Sequence, residues 1–363
     1  MKATRTATGI RIGNLLPSRH NHVNQRLKKR SLSNQSSSQN QVKVTRHLQR
    51  HKNEASSPVA SPPLDLYLQA TTRLVDDLLA TTRQLMGSDR NIPQHLIAFS
   101  GGVDSSLAAA LVNQSHDASM ERVQAVLGIS PAVPTEQVDL AERVAEHLGI
   151  DFLKVPTTEG QDETYLANEG KACLACKTHL YSTLQAIVQH GENAHNSFRL
   201  YNGTNADDRQ DPTRLGLVAA RDFHVQSPLR DLTKDQVRHV ARHLGLFNWN
   251  YAASPCLRSR LALGVTATAQ HLELMARAER MVRQRLGDRL VDETTNLRVR
   301  LLAGHRVRIE IDEPLVDATL DQDWSDLQTI GGFADVSVQA FRSGSVARKE
   351  PLEDEDLVTT AIG

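Results

Sequence analysis

HLIAFSGGVDSSLAAALV, residues 95–112, sets a short apolar run directly against two glycines and then a helix-forming segment. HLIAF (95–99) is continuous rather than alternating, which predicts a buried parallel strand. Gly101 and Gly102 let the backbone turn tightly and approach a ligand without a Cβ clash. The Asp-Ser-Ser that follows opens a helix, whose N-terminus offers free N–H groups and partial positive charge to phosphate oxygens. Ser100, Ser105 and Ser106 add hydroxyl donors, and the carboxylate of Asp104 suits magnesium. Taken residue by residue, a plain helix cap explains the same string, because Asp and Ser are common there.

Outward from this segment, strand-like and helix-like stretches alternate. RVQAVLGIS (122–130) reads as a strand, EQVDLAERVAEHLG (136–149) as a helix and DFLKVP (151–156) as a strand. A helix over THLYSTLQAIVQHG (178–191) leads to RLYNG (199–203). That order predicts an α/β fold, a doubly wound parallel sheet with ligands at the carboxyl ends of its strands. Upstream, LDLYLQATTRLVDDLLATTRQLM (64–86) places Leu64, Leu68, Leu74, Leu78 and Leu85 near one helical face. After about residue 264 the pattern changes: a long helix (268–287), then NLRVRLLAG and HRVRIEI alternating like an antiparallel pair. A further helical stretch and DVSVQAF (335–341) complete a small α+β unit. The expected organisation is a disordered basic tail or targeting segment (1–62), the α/β domain (63–264), the small α+β domain (265–343) and a mobile acidic tail (344–363).

The 42 basic and 42 acidic residues balance, but not evenly along the chain. Residues 1–60 hold 12 Lys and Arg against the single acid Glu54, leaving 30 basic and 41 acidic groups for the rest. The Ser-, Asn- and Arg-rich tail is predicted to be unfolded, and its acid-poor composition also suits an organellar transit peptide. No run approaches the roughly 20 apolar residues of a membrane span. Aromatics at 4% argue against a base-stacking surface for nucleic acid. Cys173, Cys176 and Cys256 make no disulfide scaffold and point to a reducing compartment, so a cytoplasmic location is expected, or an organellar one if the tail is a transit peptide. The Cys-x-x-Cys pair alone is open to zinc, redox or iron–sulfur chemistry, or to three small buried hydrophobes. Lys177, Arg258 and Arg260 beside the cysteines are expected to lower the thiol pKa values. The 15 histidines show no ligand spacing, and none is assigned to a metal.

Ser-Gly-Gly-x-Asp-Ser directly after an apolar strand resembles the PP-loop of the N-type ATP pyrophosphatases, and the Gly-x-x-x-x-Gly-Lys-Ser/Thr P-loop is absent. This resemblance implies cleavage of ATP between its α- and β-phosphates, transfer of AMP to a carboxyl or carbonyl oxygen, and release of pyrophosphate. Further strings follow in order: Cys-Leu-Ala-Cys-Lys-Thr-His-Leu-Tyr (173–181), Gly-Thr-Asn-Ala-Asp-Asp (203–208), Ser-Pro-Leu-Arg (227–230), Ser-Pro-Cys-Leu-Arg-Ser-Arg (254–260) and Arg-Val-Arg (298–300) with Arg308-Ile309-Glu310. From about residue 93 to 311 they resemble the LarE family of ATP-dependent sulfur-inserting enzymes.

The LarE resemblance implies adenylation of a carboxylate of pyridinium-3,5-biscarboxylic acid mononucleotide, then replacement of its oxygen by sulfur for the nickel-pincer nucleotide cofactor. Cys256 is implied to attack the acyl-adenylate, with Asp104 as its catalytic companion. Cys256 either surrenders its own sulfur, leaving dehydroalanine, or joins Cys173 and Cys176 on a [4Fe-4S] cluster that relays sulfide; the full trio favours the cluster. The expected cofactors are therefore ATP, Mg2+ and the cluster. Ser100, Gly101, Gly102, Asp104, Ser105, Ser106, Gly203, Thr204 and Asn205 are expected to line the nucleotide pocket, with Asp104 and Asp207 or Asp208 near magnesium. Arg258, Arg260, Arg298, Arg300 and Arg308 are expected to hold the substrate's phosphate and carboxylates through bidentate contacts. Alternation at Arg298, Arg300 and Arg308 equally suits a solvated strand face. Glu279 and Glu310 receive no role, and residues 288–296 read as an insertion. LarE-like proteins tend to be hexameric, so a homo-oligomer acting on a small nucleotide-like carboxylate is expected, without membrane or nucleic-acid partners. The alternatives are a tRNA thiolase similar to the 2-thiocytidine synthases, whose RNA the basic tail would attract, and a non-catalytic nucleotide-binding regulator. The intact loop and cysteines argue against the regulator.

Overall fold

The computed structural model describes residues 64–87, 94–116, 122–190, 197–290 and 292–342; the expectations for 1–62 and 344–363 lie outside them. Strands β1 (Gln94–Ala98), β2 (Arg122–Ile129), β3 (Asp151–Pro156) and β4 (Phe198–Tyr201) form a parallel sheet in the order β3-β2-β1-β4. Register pairs Ile97 with Ala125 on one side and with Tyr201 on the other. Every residue of the central β1 is buried, which is why its sequence does not alternate.

Helices α2 (Val103–Ser115) and α3 (Thr135–Leu148) cover one face, where Ile97, Phe99, Ala109, Ala141, Val144 and Tyr201 share a core. Side chains one position along point the other way: Leu96, Ala98, Val126 and Leu200 pack on Leu180 and Leu184 of α5 (Ala172–His190). The short α4 (Glu163–Ala167) precedes α5. The helix expected over 178–191 thus begins six residues earlier, and Cys173 and Cys176 lie in its first turns.

α1 (Leu64–Met86) forms as expected, but its buried stripe is Thr71, Val75, Leu78, Thr82 and Met86. Leu68, one turn before that stripe, is 44% exposed. The stretch between β4 and residue 264, which the alternation left unassigned, holds α6 (Ala206–Gln210), α7 (Gly216–Asp222) and α8 (Lys234–His243). Capping boxes at Asn205/Asp208 and Thr233/Gln236 start α6 and α8.

α9 (Ala269–Leu286) begins at the Thr268 cap and packs on a three-stranded sheet of β5 (Leu297–Leu302), β6 (Arg306–Ile311) and β7 (Val336–Ala340). β5 and β6 are antiparallel, as expected; β7 joins β6 in parallel after α10 (Val316–Leu320) and α11 (Ser325–Gly331). Leu272, Met275, Val282, Val299 and Ile309 of this core continue into Ala132, Tyr165, Ala172 and Ala175, with Cys176 and Cys256 packed against it. The cysteine-bearing segments therefore rest on the small sheet's core. No helix among the described residues is long and apolar enough to cross a membrane.

Candidate active site

The chain runs outward from β1 to β2 and β3, then returns to β4 on the other side of β1. The point where strand order reverses is where an open α/β sheet binds ligands, and the loops after β1 and β4 meet there. Gly101 has φ +70, and a Cβ on it would lie 2.7 Å from the Ala141 Cα, so only glycine fits. A Cβ on Gly203 would lie 2.5 Å from the Asp104 carbonyl carbon, so Gly203 lets the β4 loop close on the head of α2.

α2 starts after Gly102 with no side-chain cap. The serines turn elsewhere: Ser105 Oγ and Ser106 Oγ donate to the Gly102 carbonyl at 3.0 and 2.9 Å, and the Ser100 N–H donates to Ser105 Oγ at 3.2 Å. This overturns the plain-cap explanation of the string. Asn248 Nδ2 donates to the Gly101 carbonyl at 2.7 Å and to Ser106 Oγ at 3.0 Å, and Gln137 Nε2 donates to the Ser100 carbonyl. The loop's carbonyls are satisfied from behind, and the first-turn N–H groups, which no helix satisfies internally, carry no side-chain cap among the described residues, the arrangement that suits an anion.

Asp104 accepts from Asn205 Nδ2 at 3.1 Å and is in direct ion contact with the Lys234 ammonium. Lys234, the first residue of α8, escaped the sequence reading; the Thr233/Gln236 capping box is the signal that could have found a helix head there. The Thr204 N–H donates to Asn202 Oδ1 at 3.0 Å, and Ser227 of Ser-Pro-Leu-Arg donates to the Thr204 carbonyl at 2.6 Å. The two magnesium candidates diverge. Asp207 is exposed and accepts the Lys234 backbone N–H at 2.9 Å. Asp208, held by the capping box and paired with Arg214 at 2.7 Å, is the one in electrostatic reach of Asp104. Burial raises the Asp208 pKa above the ordinary carboxylate range although Arg214 pulls against it.

Cys173 is exposed, whereas Cys176 and Cys256 are half-buried, and all three are free thiols. None is fully buried. Arg258 Nη2 donates to Cys173 Sγ at 2.7 Å and Nη1 donates to Asn168 Oδ1 at 3.1 Å. Asn168, in the left-handed region at φ 53, donates from Nδ2 to the carbonyls of Ala262 and Val265 at 2.9 and 3.1 Å. This fully buried amide ties the turn before the Cys-x-x-Cys helix to the loop after Cys256. The expected lowering of the thiol pKa fails at Cys176. Burial, with Cys256 beside it, pushes its thiol up to about 12 against the pull of Lys177. Three thiolates are the donor type that an iron–sulfur cluster takes. In this state Arg258 holds Cys173, and among the described residues no three His, Cys, Asp or Glu side chains are grouped as a metal site.

The arginines form no solvated face at 298 and 300. Arg260, 1% exposed, makes a bidentate pair with Glu279 at 2.8 and 3.1 Å and donates to the Pro255 carbonyl at 2.5 Å. Glu279 also accepts the Val299 N–H at 3.0 Å. Burial works to raise the Glu279 pKa, but Arg260, Arg298 and that N–H outweigh it and hold it below the ordinary value. Arg298 lies beneath the Cys256 loop, donating to the Ala253 and Leu297 carbonyls; burial and nearby Arg260 push it down to about 10. Arg300 pairs with buried Glu310 at 2.8 Å and donates to the Ser259 carbonyl at 2.6 Å. Arg308 is half-buried on β6, opposite Arg300. Glu279 and Glu310 are thus the counter-ions that shape the Cys256 loop.

A parallel sheet with a glycine loop and an uncapped helix head at its switch point defines a PP-loop nucleotide-binding enzyme of the ATP pyrophosphatase class. No family model matches the chain. It is 35% identical over 217 residues to an uncharacterised protein of Synechocystis sp., covering 59% of this chain and 76% of that one. It is 29% identical over 290 residues to pyridinium-3,5-bisthiocarboxylic acid mononucleotide synthase of Lactiplantibacillus plantarum, covering 78% of this chain and 99% of that one. A tRNA-specific 2-thiouridylase of Desulforamulus reducens is 31% identical over 190 residues, covering 42% of this chain and 50% of the relative. The chain belongs to the LarE family of PP-loop ATP-dependent sulfurtransferases.

Proposed function

We propose that the enzyme adenylates a carboxylate of pyridinium-3,5-biscarboxylic acid mononucleotide and converts it to a thiocarboxylate through Cys256, in nickel-pincer nucleotide cofactor biosynthesis. The observation that carries this reading is Asp104, held by Lys234 and Asn205 beside an uncapped helix head, in a chain aligned with 99% of a relative named for the bisthiocarboxylic product. Residues 63–264 bind the nucleotide, and 265–343 serve substrate and self-association.

ATP binds with its phosphates on the N-terminus of α2, and Lys234 shifts from Asp104 to the phosphate oxygens. Asp104 and Asp208 would hold a magnesium ion, which would supply positive charge to the pyrophosphate leaving group. A substrate carboxylate oxygen attacks the α-phosphorus, the bond to the β-phosphate oxygen breaks, and pyrophosphate departs. The Cys256 sulfur attacks the acyl carbon, AMP leaves with the bonding pair, and a thioester forms. In the sacrificial route Cys256 loses its Cα proton, its Cβ–S bond breaks, and the thiocarboxylate leaves dehydroalanine behind. Cys173, Cys176 and Cys256 would hold a [4Fe-4S] cluster once Arg258 gives up Cys173, and bound there it would offer an iron position to exogenous sulfide. tRNA thiolation is the weaker reading, because similarity to the thiouridylase spans 42% of the chain against 78% for the LarE relative.

The test supplies ATP, Mg2+ and the biscarboxylic nucleotide to anaerobically purified enzyme. Pyrophosphate and a thiocarboxylate product are expected, both abolished in Asp104→Ala; absence of pyrophosphate from wild type overturns the proposal. Intact mass separates the routes: loss of one sulfur from Cys256 marks the sacrificial route, and unchanged mass with iron-dependent turnover marks the relay.

A further inference from the structure

A cavity of about 230 Å³ lies among the loops that follow β2 and β3 and the start of α9. Ala267, Ala269 and Leu272 form its apolar wall, and Ser130, Thr157, Thr158, Glu159 and Tyr165 form its polar wall. It shares no residue with the magnesium position proposed at Asp104 and Asp208.

Two of the polar groups are orphans. Glu159 Oε2 and Tyr165 Oη have no hydrogen-bond partner among the described residues, although the two residues are only 3% and 2% exposed. Oxygens left unpaired at that depth cost free energy that a bound group would recover. The class of that group follows from where the neighbouring protons go. Asp162 Oδ2 takes the His179 Nε2–H at 3.1 Å, which leaves Nδ1 of the neutral ring to accept the Thr158 hydroxyl at 3.0 Å. Thr157 Oγ1 donates to the Ile129 carbonyl at 3.4 Å. Both threonine protons are spent, and each hydroxyl has only lone pairs left to offer. The N–H groups of Thr157 and Gln161 are also engaged, by the Ile129 and Thr158 carbonyls at 3.1 and 2.9 Å. Glu159 is the single charged side chain of the lining. Such a wall accepts far more than it donates, which repels anions and suits a cation. Neither sulfur nor imidazole lines it, so the softer transition metals are poorly matched. One carboxylate among neutral oxygens balances one positive charge, whereas a divalent ion would keep a net charge in the interior.

We infer that this cavity binds a monovalent metal cation, potassium or sodium, held by the Glu159 carboxylate and the Tyr165 phenol oxygen and completed by the threonine hydroxyls and water. Its place in the fold gives the ion a structural task. Ala132, in the cavity lining, accepts the N–H of Leu257, one residue after Cys256, at 2.8 Å. Tyr165 belongs to the core against which Cys176 and Cys256 pack. The ion therefore braces the loops after β2 and β3 against the loop that carries Cys256.

The test follows thermal unfolding of the full chain as potassium or sodium chloride replaces N-methylglucamine chloride at constant ionic strength. For wild type, a saturable rise of the midpoint by about 2–4 °C is expected with at least one of the two ions. Glu159→Gln, nearly isosteric and neutral, is expected to abolish the rise. Tyr165→Phe removes only an unpartnered hydroxyl, so it keeps the inference testable should Glu159→Gln fail to fold. Its half-saturating concentration is expected to be about tenfold higher, the scale of losing one polar partner of a charge. A wild-type midpoint that does not respond, a full rise in Glu159→Gln, or an unchanged half-saturation in Tyr165→Phe each overturns the inference. So does magnesium chloride producing the same Glu159-dependent rise at lower concentration, which would give the cavity to a divalent ion. Binding is read here without turnover, so failure of the proposed reaction leaves this result standing, and the reverse holds too.

Discussion

The glycine loop at 100–106 and the cysteine loop at 254–260 are built in opposite ways. The first is contiguous: strand, two glycines and a helix head present backbone N–H groups, and outside side chains only brace its carbonyls. The second gets its shape from side chains far away in sequence, since Glu279, Arg298 and Arg300 reach it from α9 and β5. A backbone site depends on space and dihedral angle; a side-chain site depends on buried charge. Damage to the first should therefore appear in activity with little loss of stability, and damage to the second in both.

The largest effect expected is at Glu279. Glu279→Gln leaves Arg260 buried without its counter-ion, a change that costs about 3–5 kcal/mol in comparable buried pairs. Urea unfolding at pH 7 measures it, and the paired change Arg260→Met with Glu279→Leu should recover most of the loss. The pH dependence has a fixed sign. Because the folded-state pKa of Glu279 is lowered, its contribution is present above the ordinary Glu pKa and disappears as pH falls through the depressed value. Wild type should thus lose part of its advantage over Glu279→Gln on acidification. An advantage that grew on acidification would contradict the ion-pair account.

Gly203→Ala probes the other construction. Its methyl would press on the Asp104 and Ser105 backbone and displace the helix head from the phosphates. Pyrophosphate release should fall about 100-fold, the scale of losing one oriented donor. Stability should fall by no more than about 1–3 kcal/mol. If unfolding, rather than turnover, proved the main casualty, the contrast between the two loops would fail.

The same contrast explains what could be read from the sequence. The loop at 100–106 was legible because its meaning is local: an apolar run, glycines that must turn and a helix that must start. The α/β order and the antiparallel pair were legible from periodicity. Arg298 and Arg300 were placed on a strand, but alternation cannot tell a solvated face from a buried one whose counter-ions, Glu279 and Glu310, lie on other segments. Lys234 and Asn248 reach the loop from more than 100 residues away; the Thr233/Gln236 capping box marks a helix head at Lys234 but not what it faces, and no motif marks Asn248. The thiol expectation failed at Cys176 because adjacent cations are visible in a sequence and burial is not.

Lys234→Met sharpens the comparison from beside the loop, because it removes a charge that reaches Asp104 from α8 without touching the loop backbone. Asp104 is partly exposed and keeps Asn205, so stability should stay within about 1 kcal/mol. Activity should fall about 10–100-fold, mostly as weaker use of ATP, read as kcat/KM for ATP in pyrophosphate release. A KM for ATP at the wild-type value would remove Lys234 from the phosphate site.

The smallest effects separate two neighbouring carboxylates. Asp207 is exposed and serves the head of α8 through the Lys234 N–H, so Asp207→Asn should cost about 0.5–1 kcal/mol and leave turnover within twofold. Asp208 sits in reach of Asp104, and burial already opposes its charge, so Asp208→Asn removes a carboxylate whose ionisation a bound cation would restore. In a magnesium titration of pyrophosphate release, half-saturation should move severalfold upward for Asp208→Asn and stay in place for Asp207→Asn. The reverse outcome would return the metal to Asp207, and would mean that the capping box at Asn205 fixes α6 without aiming Asp208 at the ion.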